Sequence, residues 1–88
     1  MNYQIAWLSQ AFDQMQRLVG RFADRQHEFA AILRDITATL TADPTEVGES
    51  RGGRMRVHFF GRLTVKFIPF TDRGVVYVVG VHMPPDRL

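Results

Sequence analysis

The sequence contains no cysteine. Disulfides and thiolate-held metals are therefore excluded, and a reducing compartment, the cytoplasm, is the expected setting. No apolar run approaches the ~20 residues of a membrane-spanning helix. Met1–Gln10 has neither a basic stretch nor a long apolar core, so no secretory signal is expected. There is no internal repeat and no low-complexity tract. The three histidines, His27, His58 and His82, lack short ligand spacing, so no metal site is expected. Arg51-Gly52-Gly53 leads into a strand pattern rather than a helix, and so lacks the helix N-terminus of a phosphate-cradling loop. No cofactor is expected.

What remains is small and globular in character. The chain has 88 residues, 45% of them hydrophobic, which fits one domain over residues 1–88. A chain of this size buries only about 60–65% of its unfolded surface, so its core is thin. Charge is unevenly placed. Residues 1–50 hold four arginines against seven acids, whereas residues 51–88 hold seven cationic side chains against two acids. The asymmetry points to an anionic partner for the C-terminal part.

That part organises the chain. Three apolar-rich runs, Met55–Phe60, Leu63–Ile68 and Val75–Met83, are separated by Gly61-Arg62 and by Thr71-Asp72-Arg73-Gly74. Short β-branched and aromatic runs divided by Gly and Asp predict an antiparallel meander. Strands send alternate side chains to opposite faces. The alternation puts Met55, Val57, Phe59, Leu63, Val65 and Phe67 on an apolar floor. It puts Arg54, Arg56, His58, Arg62, Thr64 and Lys66 together on the other face.

Upstream, Tyr3, Ile5 and Trp7 alternate with polar or small residues and predict a strand at 2–7. Ser9 is placed to cap a first helix, over 9–23, whose stripe is Ala11, Phe12, Met15, Leu18, Val19 and Phe22. Asp24 is placed to cap a second, over 25–42, with Phe29, Ile32, Leu33, Ile36 and Leu40 as its stripe. Pro44 ends it. Residues 45–53 read as a loop, and Pro84-Pro85 ends the last strand. The order β-α-α-β-β-β predicts an α+β domain, with a helical hairpin packed on one face of a curved antiparallel sheet.

A succession of weak motifs carries a family likeness. Trp7-Leu8-Ser9-Gln10-Ala11 leads from strand to helix, and the helical pair ends at Leu40 to Pro44. Gly48-Glu49-Ser50-Arg51-Gly52 precedes Arg54-Met55-Arg56, then Leu63-Thr64-Val65, then Val75-Val76-Tyr77-Val78-Val79-Gly80-Val81. In order and spacing the chain resembles the RelE/ParE superfamily of bacterial toxins from toxin–antitoxin pairs, a group tied to plasmid stabilisation. The resemblance implies a small cognate antitoxin as partner and no membrane. RelE-type members cleave messenger RNA on the ribosome with basic residues of the open sheet face. ParE-type members inhibit gyrase, which leaves a non-enzymatic binder of a protein target as the alternative. By position, Arg54 and Arg56 match the basic pair of RelE-like strands, and Arg62 lies near the arginine that opens the next strand. The C-terminal arginine and aromatic acid/base of RelE-like proteins have no clear counterpart in His82–Leu88.

Cleavage by 2′-hydroxyl attack needs a base, an acid for the leaving oxygen and positive charge on the phosphorane. Arg56, His58 and His82 are the candidate catalytic set. Arg51, Arg54, Arg56, Arg62 and Lys66 are the candidate nucleic-acid contacts. Arg17, Arg21 and Arg25 read as a solvated helix face, and Tyr77 as a core or edge residue.

Overall fold

The structure, a computed structural model, describes residues 2–85. The expected fraying of residues 86–88 and the position of Arg87 lie outside the described residues. The elements are β1 (Gln4–Trp7), α1 (Ser9–Arg21), a 3₁₀ turn (Ala23–Arg25), α2 (Gln26–Ala42), β2 (Glu49–Ser50), β3 (Arg56–Phe60), β4 (Leu63–Phe70) and β5 (Val75–His82). The sheet runs β1-β5-β4-β3-β2. This is the expected α+β arrangement, with two additions. A two-residue strand, β2, interrupts the expected loop and pairs with β3. And β1 runs parallel to β5, although every other pairing is antiparallel. Only strands joined by a hairpin are forced to be antiparallel. Both helices, β2, β3 and β4 separate β1 from β5 in the chain, so no hairpin dictates that direction.

The helices start without the expected caps. Leu8 occupies the N-cap of α1 with no side-chain hydrogen bond, and Ser9 is already helical. Arg25 occupies the N-cap of α2, and Asp24 lies in the 3₁₀ turn. At the far end Asp43 does act locally. Its carboxylate accepts hydrogen bonds from the Thr45 backbone N–H at 3.1 Å and hydroxyl at 2.7 Å. The hydroxyl bond, foremost, holds the Asp43 carboxyl below its ordinary range. Among the described residues no helix is long and apolar enough to cross a membrane.

One core lies between helices and sheet. Ala11 and Met15 enter it from α1, and Phe29, Ile32, Ile36 and Leu40 from α2. The sheet contributes Phe60, Leu63, Val65, Phe67, Val76, Val78 and Val81, and Met83 joins them just after β5. The spacing in β5 is informative. Positions 76, 78 and 81 are buried, so the period of two slips by one residue. The pairing shows why: Lys66 is opposite Gly80 and Phe67 is opposite Val78, leaving Val79 as an extra residue. Such a bulge bends and twists a strand.

Among the described residues, the other face of the sheet carries no helix. Thr64, Lys66, Ile68, Phe70, Val75, Tyr77, Gly80 and His82 lie on it, as the cross-strand pairs show. At its edge β1 stops at Trp7, opposite Val78, so the outer edge of β5 beyond that point needs other partners. Helix α1 supplies them. The Gln10 side-chain amide donates to the Val79 carbonyl at 3.2 Å, and the Val81 N–H donates to Gln14 Oε1 at 2.8 Å.

Candidate nucleic-acid interface

The register of β3 decides which cations share a face. Gly61-Arg62 is a two-residue turn, so Phe60 pairs with Leu63. Residues paired across an antiparallel ladder point the same way. His58 therefore lies with Val65, and Arg56 with Phe67, on the helix side. Lys66 pairs with Val57, on the open side. The expected single basic face is thus split. Arg56 and His58 are on the opposite face from Lys66.

The correction extends to the apolar positions. Leu63, Val65 and Phe67 are in the core as expected. Phe59 is 52% exposed and Phe60 is 5% exposed, the reverse of the expectation. Val57 is buried but outside the main core, and Met55 lines the open side. Two adjacent phenylalanines allow either parity for β3, and the two-residue turn selects the one that buries Phe60 against Leu63.

On the helix side each cation has structural work. The Arg56 guanidinium donates to the Val47 carbonyl at 2.8 Å and the Gly48 carbonyl at 2.9 Å, pinning the segment that enters β2. That segment comes close to β3. A Cβ on Gly48, whose φ is +75°, would lie 2.3 Å from the Val57 carbonyl oxygen, so only glycine fits. His58 packs edge-on against Phe60, with ring centroids 5.0 Å apart. Arg62 pairs with Glu28 of α2 at 2.7 Å. Arg51 pairs with its neighbour Glu49 at 3.2 Å, and Glu49, opposite Val57, is at the sheet edge on the side of Lys66. Of the expected set, Arg56, His58 and Arg62 do not share a face with Lys66, and Arg51 is paired with Glu49.

The open face holds the rest. A concave cavity of about 390 Å³ is lined by Gln10, Gln14, Met55, Thr64, Lys66, Ile68, Val79, Gly80, Val81 and His82. Thr64 and His82 are directly opposite across β4 and β5, as are Lys66 and Gly80. The missing side chain at Gly80 leaves room above the Lys66 stem and Gln14 Oε1, which lie 3.8 Å and 3.7 Å from where a Cβ would sit. Lys66 and His82 are both exposed and form no salt bridge among the described residues.

His82 also borders a second cavity, of about 350 Å³, with Gln14, Arg17, Leu18, Arg21, Val81 and Met83. Arg17 and Arg21 thus flank the histidine from the helix. Both are exposed, as expected of a solvated helix face; their closeness to the end of β5 is what the sequence alone did not show. Arg54 lies at the other end of the open face, its guanidinium carbon 5.1 Å from the centre of the Phe70 ring.

Chemically, the arrangement offers an ammonium, an imidazole and a hydroxyl on a concave floor, with two guanidiniums beyond the imidazole. That suits an extended polyanion better than a compact neutral ligand. No group of three or more His, Cys, Asp or Glu residues suited to a metal ion occurs among the described residues.

No family model matches the sequence, and no curated protein matches it either. The fold does have a counterpart. It superposes on a chain of the crystal structure of the toxin–antitoxin complex RelBE2 from Mycobacterium tuberculosis with a TM-score of 0.76. The likeness covers 96% of this chain and 93% of that one, at 16% sequence identity. It establishes the fold as RelE-like, the architecture expected from the order of motifs.

Proposed function

We propose that this chain is the toxin component of a toxin–antitoxin pair and acts on messenger RNA in the cytoplasm through its open sheet face. The observation that carries the reading is the cavity in which Lys66 and His82 face solvent on a fold shared with a toxin–antitoxin complex. A cognate antitoxin is the implied partner. In the cleavage step the 2′-oxygen attacks the adjacent phosphorus and the P–O5′ bond breaks, leaving a 2′,3′-cyclic phosphate and a 5′-hydroxyl. Lys66 stabilises the charge on the phosphorane, and Arg17 and Arg21 hold the flanking backbone. His82 moves one of the two protons, either from the 2′-hydroxyl or to O5′, and solvent water takes up or supplies the other.

A second reading rests on one observation. With His58 turned to the helix side, His82 is the single imidazole among the described residues that line the cavity. That favours a binder without chemistry, directed at RNA or at a protein target. Induced expression in bacteria separates the two. The cleaving toxin arrests growth and shortens messenger RNA, His82→Ala abolishes cleavage with RNA binding retained, and His58→Ala retains both. Growth arrest with intact messenger RNA selects the binder. Unimpaired growth and intact RNA with the folded, antitoxin-free chain contradict the toxin reading.

A further inference from the structure

The far end of the open face holds a cluster that the cavity does not include. Phe70 ends β4, and its ring meets Tyr77 edge-on with centroids 5.4 Å apart. Two guanidiniums lie near that same ring, Arg54 at 5.1 Å and Arg73 at 5.8 Å. They come from different turns. Arg54 follows Gly52-Gly53 before β3, and Arg73 sits in the turn between β4 and β5, where its N–H donates to the Phe70 carbonyl at 3.1 Å. Both arginines are exposed, and neither has a carboxylate partner among the described residues.

Two like charges drawn to one ring repel each other and gain little without an anion between them. A guanidinium pair on an aromatic base is suited to a phosphate, which accepts from both in forked geometry. Lys66 and Phe70 are four residues apart on β4 and face the same way. At ~3.3 Å per residue their separation is about 13 Å. One strand of nucleic acid advances ~3.4 Å per stacked nucleotide, so about four nucleotides bridge the two points. Ile68 and Tyr77, paired between them, offer an apolar and aromatic surface for the intervening bases.

We propose that Arg54 and Arg73, mounted on Phe70, form a second phosphate site for single-stranded RNA. It lies about four nucleotides from the Lys66–His82 cavity, and it sets the length of strand at which binding reaches its full strength. This rests on the reading of the open face as an RNA surface. It adds a length requirement that the cavity alone does not impose.

The test is binding of fluorescent oligouridylates of two to ten nucleotides, by anisotropy. For the parent chain, affinity rises by about tenfold between the dinucleotide and the hexanucleotide, then levels off. In Arg54→Ala/Arg73→Ala that rise is lost, dinucleotide affinity is retained, and the log–log salt slope on long strands falls by about 0.7. Lys66→Ala weakens binding at every length. Arg54→Gln/Arg73→Gln serves if the alanine pair disturbs folding, which thermal melting reports. Should the double variant keep the parent's length profile while Lys66→Ala weakens every length, the second site is refuted and the RNA surface stands. Should the parent bind no oligouridylate at all, the RNA surface falls, and the second site with it.

Discussion

Arg56 and Lys66 sit one register step apart on neighbouring strands, yet they belong to different faces and have different fates. Arg56 is turned toward the helices, and its guanidinium is engaged by two carbonyls of the segment before β2. Lys66 is turned away from them into a cavity with no ion-pair partner among the described residues. The same division runs through the other cations of the sheet. His58 and Arg62 are engaged on the helix side, by Phe60 and Glu28. His82 and the Arg54–Arg73 pair are presented on the open side. A cluster of charge along a sequence is therefore not one surface. Register divides it into cations that hold the fold and cations available to a partner.

The sharpest break in that comparison is at the adjacent phenylalanines. Phe60→Ala should destabilise the fold by about 3–5 kcal/mol, since Phe60 is only 5% exposed in the core. Phe59→Ala should cost less than about 1 kcal/mol, because half of its surface is already in water. Equilibrium denaturation in urea measures both. Equal losses would mean that β3 does not hold the parity seen here.

Next in size is the arginine that points inward. Arg56→Ala removes two charge-assisted hydrogen bonds from a half-buried site and should cost about 1–3 kcal/mol. Arg56→Lys should restore only part of this, because an ammonium cannot reproduce the fork. Thermal melting checks the order parent, lysine, alanine. The smallest effect belongs to the ion pair at the helix side. Glu28 and Arg62 are each about one-third exposed in their side chains. Glu28→Gln should therefore cost at most about 1 kcal/mol, and less as salt is added.

Much of the architecture was legible in the sequence, because its signals are local. The apolar stripes of α1 and α2, the break at Pro44 and the breaks around Gly61 and Gly74 each announce themselves within a few residues. The site was less legible, because it depends on parity. Met55, Val57 and Phe59 alternate as well as Arg56, His58 and Phe60 do, and pattern alone favoured the wrong set. One signal did carry the answer. A two-residue turn at Gly61-Arg62 makes Phe60 and Leu63 partners, so Leu63, Val65 and Phe67 must share a face with Phe60, His58 and Arg56. The slip at Val79 had no such signal, since every β5 residue from Val75 to Val79 is apolar and suits either face. Nor did the role of Gln10 and Gln14 at the edge of β5, which exists only because β1 ends early. Arg73 was passed over, and Tyr77 was read as a core or edge residue, because their significance lies in Phe70 and Arg54, which are brought beside them by the fold.

The division of the sheet into two faces is tested most directly by measuring single-stranded RNA affinity against salt for Arg56→Ala and Lys66→Ala side by side. Lys66→Ala should lower affinity and flatten the log–log slope by about 0.7, the loss of one phosphate contact. Arg56→Ala should melt at a lower temperature yet keep the parent's slope while folded. A flattened slope in Arg56→Ala with an unchanged one in Lys66→Ala would contradict the assignment, and would put Arg56 on the RNA-binding face.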